Sequence, residues 1–199
     1  MKFPILTALR GNNAELFADI MQIYVPPNSF CLDMTYGLGN FWPKIPDFQY
    51  RGVTLDIATS ADIRADFRHC PFPDSRFDCC ILDPPYAKHG TSMKESISSA
   101  YQNNLDISPK SAREVLQLYK DGITEAHRLL VPGGVLILKC QDQIESGKQQ
   151  WIHIQLLEIE GFIAEDLFVL VQEAVPAMRE QYQKHARKNH SYFIVQRKI

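Results

Sequence analysis

The sequence FDCCILDPPY, residues 77–86, is an apolar run that stops at an acid, two prolines and a tyrosine. Its first half is typical of a short buried strand. Its second half cannot continue that strand, because two consecutive prolines remove two backbone donors and hold φ at about −65°. The run therefore predicts a strand that delivers Asp83 to the edge of a sheet.

The groups at this strand end suit a planar ring that carries an exocyclic amine. The carboxylate of Asp83 and the carbonyl of Pro84 are hydrogen-bond acceptors, and the stiff Pro84-Pro85 backbone fixes them in place. Tyr86 adds a flat face for stacking. The amine of such a ring is a poor nucleophile until both of its N–H bonds are engaged, because its lone pair is delocalised into the ring. The alternative is that the tetrapeptide is only a turn after a strand.

A glycine-rich turn follows another predicted strand. Residues 29–33 form a short apolar run that ends at Asp33, and the loop 34–39 contains Gly37 and Gly39. Glycine allows backbone angles and a close approach that a Cβ would forbid, so a ligand can lie directly on the main chain. A strand followed by such a turn is how a doubly wound sheet opens its cofactor crevice.

Two further acids end predicted strands. The strand over 51–56 ends at Asp56, about twenty residues after the glycine turn, where an acid can hold the hydroxyls of a ribose. The element over 61–67 ends in Asp66 and Phe67, an acceptor for an adenine amine and an apolar neighbour for its ring. Each acid alone is equally well explained as an ordinary strand end. Their recurrence after three successive strands favours the cofactor interpretation.

The rest of the chain alternates predicted helices and strands, which is the pattern of an α/β fold. Helices are predicted from Asn12 or Asn13 to about residue 24, from Ser108-Pro109 or Ser111 to about residue 130 and over 148–160. Strands are predicted over 135–138, 162–172 and 191–197, the last two as an antiparallel pair. Residues 87–110 are polar with little periodicity, and a loop of this length predicts a mobile lid. We expect a single domain over 1–199, with an N-terminal helical segment over 1–28.

The composition is that of an ordinary globular protein, with 199 residues, 45% of them hydrophobic and 22% charged. No apolar run approaches the roughly 20 residues of a membrane span, and the N-terminus lacks a signal-peptide pattern. A cytoplasmic protein without membrane attachment is therefore expected. The five cysteines form no C-x-x-C pair, which predicts reduced core residues and no metal site.

The distribution of charge is more informative than its sum. A net charge of −2 is not typical of a protein that binds nucleic acid through bulk charge. Residues 179–199, however, hold six Lys or Arg against one acid. Such a segment can face phosphates, and the alternative is a solvated basic terminus without a partner.

With these motifs the chain resembles the class I S-adenosylmethionine-dependent methyltransferases, and among them the amino-group methylases that modify N6 of adenine or N4 of cytosine in DNA. The resemblance runs from about residue 29 to the C-terminus and rests on Gly37-x-Gly39, Asp83-Pro84-Pro85-Tyr86 and the helix end at 129–134. Four shorter segments resemble small phage-like and bacterial DNA methylases: Tyr36-Gly37, Thr91-Ser92, Lys139-Cys140-Gln141-Asp142 and Ala186-Arg187-Lys188-Asn189.

The resemblance implies a Rossmann-like fold, with a mostly parallel seven-stranded sheet and an antiparallel C-terminal strand pair. It implies S-adenosylmethionine as the cofactor, with its ribose hydroxyls on Asp56 and its adenine against Asp66 and Phe67. The cofactor-binding residues that it implies are Asp33, Thr35, Tyr36, Gly37, Gly39, Asp56, Asp66 and Phe67.

For the substrate, the resemblance implies that Asp83, Pro84, Pro85 and Tyr86 hold the target amine, with no metal and no covalent intermediate. A base in a duplex has to be flipped out of its stack to reach Asp83. Neighbouring phosphates are then expected on Lys184, Arg187 and Lys188. Methylases of this class that choose a DNA sequence usually carry a separate recognition domain. Here only residues 87–110 and the C-terminal arm are available, so relaxed specificity or a specificity-giving protein partner is expected.

Other functions stay open at this point. Methylation of RNA, at N2 of guanine or N6 of adenine, uses the same acceptors, although the guanine enzymes often carry glycine where this chain has Ala87. A nicotinamide-dependent oxidoreductase would require a third glycine where Trp42 stands. A non-catalytic nucleic-acid-binding partner of a methylase would have lost the acceptors or the glycines, and this chain keeps both. The motifs do not choose between adenine and cytosine.

Overall fold

The computed structural model describes residues 4–46, 49–86, 109–172, 186 and 188–199. The strands are β1 (Ala8–Gly11), β2 (Phe30–Asp33), β3 (Arg51–Asp56), β4 (Ile63–Arg64), β5 (Phe77–Leu82), β6 (Leu130–Cys140), β7 (Gln143–Glu145), β8 (Lys148–Gln150), β9 (Phe162–Gln172) and β10 (His190–Lys198). The helices are α1 (Asn13–Tyr24), α2 (Ala112–Leu129) and the single turn α3 (Ile152–Gln155), with a 3-10 turn at Trp42–Lys44.

Eight strands of the described chain form one sheet, in the order β1-β9-β10-β6-β5-β2-β3-β4. Neighbours from β6 through β4 are parallel, whereas β10 runs antiparallel to both β6 and β9. The predicted parallel sheet with an antiparallel C-terminal pair is confirmed. The sheet has one strand more than the seven predicted, because β1 pairs with β9 at the edge.

Apolar runs and capping residues set the end of β5 and the starts of the two long helices. The run in β5 is buried and ends at Leu82, directly before the acid and the two prolines. Helix α1 begins where the Asn12 side chain accepts a hydrogen bond from the backbone of Glu15 at 3.1 Å. Helix α2 begins in the same way at Ser111.

Two apolar cores flank the sheet, because successive residues of β5 point to opposite faces. Cys80 and Leu82 join the core under α2. Cys79 and Ile81 join the core under α1. All five cysteines are buried and free, as predicted, and burial raises the pKa of the Cys79 and Cys80 thiols well above the usual range.

Three predicted elements were wrong in extent. The strand predicted over 135–138 is the longer β6, which begins at Leu130 directly after α2 and ends at Cys140. The helix predicted over 148–160 is only the turn α3, because β7 and β8 form a hairpin in which Ser146 and Gly147 both have positive φ, 49° and 74°. The element predicted over 61–67 is a strand only at β4. Residues 87–108 of the predicted lid lie outside the described residues. No helix in the described ranges is long and apolar enough to cross a membrane.

Candidate active site

The predicted acids meet at the carboxyl edge of the sheet. Asp33 ends β2 and Asp56 ends β3, and Asp83 follows β5, which pairs in parallel with β2. The backbone N–H of Asp83 donates to Oγ1 of Thr35 at 2.7 Å. This bond fastens the Asp-Pro-Pro-Tyr tetrapeptide to the loop that follows β2.

A buried lysine completes the surroundings of Asp83. The hydroxyl of Tyr86 donates to Oδ1 of Asp83 at 2.8 Å. The ammonium of Lys139 donates to Oδ2 of Asp83 at 3.2 Å and to the Tyr86 oxygen at 3.1 Å. The Lys139 side chain is only 8% exposed. The three groups form a closed triangle, which we refer to as the Asp83 cluster.

Burial keeps the phenol of Tyr86 protonated. It raises the pKa of Tyr86 well above its usual range, and the nearby carboxylate of Asp83 raises that pKa further. The hydroxyl therefore acts as a donor to Asp83. Pro84 is buried and Pro85 is exposed. The two predicted acceptors, the carboxylate of Asp83 and the carbonyl of Pro84, both lie at the end of β5. Among the described residues, no donor reaches the carbonyl oxygen of Pro84.

Asp33 is a buried carboxylate beneath the loop. It accepts the indole N–H of Trp42 at 2.7 Å and the backbone N–H of Thr35 at 3.1 Å. Burial nevertheless raises its pKa to about 7, and the carboxylates of Asp83 and Asp56 add to the rise. Trp42, considered from the sequence only as a residue too large for a dinucleotide turn, is thus the partner of Asp33.

The glycine loop has the backbone geometry that glycine permits. Gly37 and Gly39 have φ of 57° and 71°. A Cβ on Gly39 would lie 2.6 Å from the hydroxyl of Tyr36, so the ring of Tyr36 occupies that side of the loop. The carboxylate of Asp56 accepts from the backbone N–H of Gly37 at 2.9 Å. Its other oxygen accepts the N–H groups of residues 58 and 59.

Asp66 and Phe67 lie on the loop after β4, against α2. Arg68 binds the Asp66 carboxylate with two nitrogens and lowers its pKa. The ring of Phe67 packs so close to Gly122 that a Cβ there would lie 2.9 Å from it. Within the described chain, neither residue is hydrogen-bonded to the Asp83 cluster or to the glycine loop.

The fold has counterparts in known structures. Neither a protein-family model nor a curated protein matches the sequence. Solved structures do match. TrmN from Thermus thermophilus is 19% identical, with a TM-score of 0.53, and the match covers 92% of this chain and 48% of TrmN. An rRNA methylase from Streptococcus thermophilus is 12% identical, with a TM-score of 0.52, covering 96% and 99% of the two chains. This chain therefore spans about half the length of TrmN.

A third match was solved with ligands. It is the 1,6-didemethyltoxoflavin-N1-methyltransferase from Burkholderia thailandensis, with 1,6-didemethyltoxoflavin and S-adenosylhomocysteine bound. It is 13% identical, with a TM-score of 0.54, covering 92% of this chain and 76% of that enzyme. This chain has the Rossmann-like fold of the methyltransferases. At these identities the likeness is one of fold, so substrate and chemistry have to be argued from the residues.

On the methyltransferase fold, a second surface lies at the same sheet edge. Strand β6 ends and antiparallel β10 begins there. Trp151 is 50% exposed, and the ammonium of Lys188 lies 5.5 Å from the centroid of its ring. Beneath it, His153 stacks on Tyr192 with ring centroids 4.1 Å apart. We refer to Trp151, His153, Lys188 and Tyr192 as the Trp151 surface. Lys184 and Arg187, the other predicted phosphate contacts, lie outside the described residues.

Sequence reasoning missed the positions of Lys139 and Trp151 at this edge of the sheet. Lys139 stood in one of the short segments that resemble DNA methylases, but no role was derived for it. The signal was present, because a single lysine interrupts the apolar strand VLILKC at 135–140, and a lysine buried in a sheet needs a partner. Trp151 carried no such signal, because it was placed in a helix that the structure replaces with a hairpin and a single turn.

Proposed function

We propose that this protein transfers a methyl group from S-adenosylmethionine to the exocyclic amine of a nucleobase in DNA, at N6 of adenine or N4 of cytosine. The observation that carries the proposal is the bond from Asp83 N to Thr35 Oγ1, at 2.7 Å. It sets the acceptors for an amine directly beside the glycine loop. A methyl donor on that loop and an amine on Asp83 would be neighbours.

The residues at the loop fit the cofactor by shape and by charge. Gly37 and Gly39 hold positive φ, the backbone conformation that glycine permits in a tight turn after a strand. Of the three acids at this edge, Asp83 is hydrogen-bonded to the ammonium of Lys139, whereas Asp33 and Asp56 accept uncharged N–H groups, so negative charge is in excess. A cofactor with a sulfonium and an ammonium group complements this excess of negative charge. In the proposal Asp56 holds the ribose, and Asp66 and Phe67 lie at the adenine.

S-Adenosylmethionine supplies an electrophilic methyl carbon, whose bonding pair returns to sulfur as the amine lone pair displaces it. The protein supplies orientation and fixed acceptors. Asp83 and the Pro84 carbonyl each accept one N–H of the amine, which draws the nitrogen towards tetrahedral geometry and frees its lone pair. The methylated nitrogen then has one proton too many. The carboxylate of Asp83 is the acceptor placed to take it and pass it to solvent.

The Trp151 surface supports a nucleic-acid substrate. An exposed indole can stack on any base, and Lys188 beside it can meet a phosphate. The proposal extends to Lys184 and Arg187 in the same basic segment. The proposal includes either relaxed sequence specificity or a protein partner that supplies sequence specificity. Methylation of a random-sequence DNA library that yielded one sharp motif without a partner would contradict it.

RNA is the second candidate substrate. The Streptococcus thermophilus protein of the same fold is an rRNA methylase, and RNA offers the same amines. DNA is favoured by Ala87 after the tetrapeptide and by the short segments that resemble DNA methylases.

Labelled methyl transfer tests the proposal. S-Adenosylmethionine with a labelled methyl group is incubated with protein and either DNA or total RNA, and the products are digested to nucleosides. Label in N6-methyladenine or N4-methylcytosine from DNA is expected. Label only in RNA would move the substrate to the second candidate, and binding of S-adenosylmethionine without transfer to either would contradict the proposed reaction. The matched control is Glu158→Ala, which alters an exposed acid on the loop before β9.

A further inference from the structure

Lys139 places a charged donor inside the candidate active site. It lies next to the last residue of β6, and its residue exposure is 7%. Burying an ammonium is costly unless its charge and its N–H groups find partners. The negative partner is Asp83 Oδ2 at 3.2 Å. A buried ammonium on a central strand of the sheet indicates a function beyond packing.

The ammonium has more donors than the cluster uses. It carries three N–H bonds and has no acceptor. One bond goes to Asp83 and one to the hydroxyl of Tyr86. In the described part of the chain no acceptor takes the third, although the ring faces of Phe41 and Tyr86 lie 5.9 and 5.4 Å from the nitrogen. One donor is therefore left beside the carboxylate that the target amine would reach.

We propose that this third N–H of Lys139 binds the unprotonated ring nitrogen next to the target amine, N1 of adenine or N3 of cytosine. The inference rests on the proposed function. An acceptor, Asp83 Oδ2, and a donor, Lys139 Nζ, lie 3.2 Å apart. The edges of adenine and cytosine present the complementary pair, an amine donor beside a ring-nitrogen acceptor. An extruded base is read by hydrogen bonds to this edge.

The same contact discriminates among bases. Guanine carries N1–H beside its N2 amine, so in that orientation the ammonium would face a donor and one N–H would lose its acceptor. A buried donor left unpaired by the wrong ligand is the strongest source of such rejection. Lys139 thereby disfavours guanine bound with its N1–H edge towards the ammonium, in DNA and in RNA alike.

The contact acts on binding more than on the chemical step. In the bound base the amine lone pair still donates into the ring, which makes the ring nitrogen a strong acceptor. As the amine becomes tetrahedral, that donation ends and the ring nitrogen becomes a weaker acceptor. Loss of the contact is therefore expected to raise KM for the nucleic acid and to leave kcat within about threefold, since only interactions stronger in the transition state accelerate the chemistry.

The test is a double-substitution cycle, in which Lys139 of the protein and N1 of the target adenine are changed singly and together. Oligonucleotides carry adenine, 1-deazaadenine, in which CH replaces N1, or 7-deazaadenine, which keeps N1 and is the matched control. Steady-state kcat/KM is measured for the wild type, Lys139→Met and Lys139→Arg. Intrinsic differences in amine reactivity and in base pairing are common to all three proteins and cancel. If cytosine is the target, 3-deazacytosine replaces 1-deazaadenine.

The wild type is expected to lose roughly 10- to 100-fold in kcat/KM on 1-deazaadenine relative to 7-deazaadenine, the size of a hydrogen bond to a charged donor. For Lys139→Met, the ratio of kcat/KM on 7-deazaadenine to kcat/KM on 1-deazaadenine is expected to lie within about twofold of unity. Lys139→Arg keeps a cationic donor and is expected to retain most of the wild-type ratio.

Other results overturn the inference. A wild-type protein with equal kcat/KM on 1-deazaadenine and 7-deazaadenine would overturn the inference by itself, even if Lys139→Met did not fold. An equal ratio in the wild type and Lys139→Met would show that Lys139 only positions Asp83 and Tyr86. Methyl transfer to no nucleobase would overturn the proposed function, and this inference with it.

Discussion

The indole nitrogen of Trp42 donates to the buried carboxylate of Asp33 across 2.7 Å. The bond ties the 3-10 turn to the end of β2, at the start of the glycine loop. Because burial raises the pKa of Asp33 to about 7, this carboxyl group takes up a proton in the folded protein at a pH where the unfolded chain has lost it. The folded state thus binds the additional proton between about pH 4 and pH 7.

This proton makes stability depend on pH in a defined direction. Stability falls with rising pH wherever the folded state binds more protons than the unfolded state. Asp33 therefore favours folding most below about pH 4, and its contribution is lost as the pH rises through about 7. The free energy of unfolding of the wild type, relative to Asp33→Asn, is expected to fall by about 2–3 kcal/mol from pH 5 to pH 8. Urea denaturation at the two pH values measures it, and a difference that did not change with pH would contradict the prediction.

Gly39→Ala is expected to damage the glycine loop. Residue 39 has φ of 71°, which costs a residue with a Cβ about 1–2 kcal/mol, and the new Cβ would lie 2.6 Å from the Tyr36 hydroxyl. Tyr36 would have to leave its position, so we expect at least a tenfold weaker binding of S-adenosylmethionine by titration calorimetry. Gly52→Ala in β3 is the matched control, because a Cβ there meets nothing within 4 Å. Equal binding by both variants would place the cofactor elsewhere.

Asp83→Ala is expected to remove methyl transfer while leaving S-adenosylmethionine binding largely intact, because the carboxylate is assigned to the target amine. The substitution also leaves the buried ammonium of Lys139 without its partner, at a cost of about 3 kcal/mol in stability. The double variant Asp83→Ala with Lys139→Met removes both charges, so it should regain stability but not activity. Thermal unfolding and the labelled-methyl assay separate the two effects. Loss of cofactor binding in the stable double variant would show that Asp83 serves the cofactor instead.

Local sequence signals were sufficient for the central strands and the two long helices. The prolines at 84 and 85 end β5 whatever surrounds them, and Asn12 and Ser111 cap their helices through bonds to residues three positions away. Strand β1 could not be predicted in this way. Its residues are exposed or half-buried, and its backbone is ordered by pairing with β9, far along the chain. The hairpin of β7 and β8 similarly depends on the turn at Ser146, which overrides a helical pattern.

In the candidate site the acids were predictable, whereas their partners were not. Asp33, Asp56 and Asp83 each follow a recognisable apolar strand. Lys139 is 56 positions from Asp83 in sequence, and only the pairing of β5 with β6 brings them together. Arg68 could have been noticed as a neighbour of Asp66, but spacing alone does not show a two-nitrogen contact. Strand ends can therefore be located from a sequence more readily than the side chains that meet there.

The Trp151 surface yields a prediction for nucleic-acid binding. Stacking of one base on an aromatic side chain contributes about 1–3 kcal/mol, so Trp151→Ala is expected to weaken oligonucleotide binding by roughly 5- to 150-fold. Because the indole is half exposed, stability should change little. Ile154→Ala removes another exposed apolar side chain of the same segment, 53% exposed, and should leave affinity unchanged.

Lys188→Ala should act on the same surface by a different route. A contact to phosphate releases a counterion, so its loss is expected to lower the slope of log affinity against log salt by about one, whereas Trp151→Ala should leave that slope unchanged. Fluorescence anisotropy at several salt concentrations measures both quantities. If Trp151→Ala bound as tightly as Ile154→Ala, the bases flanking the target would not stack on this surface, and the nucleic acid would have to approach the Asp83 cluster from another side.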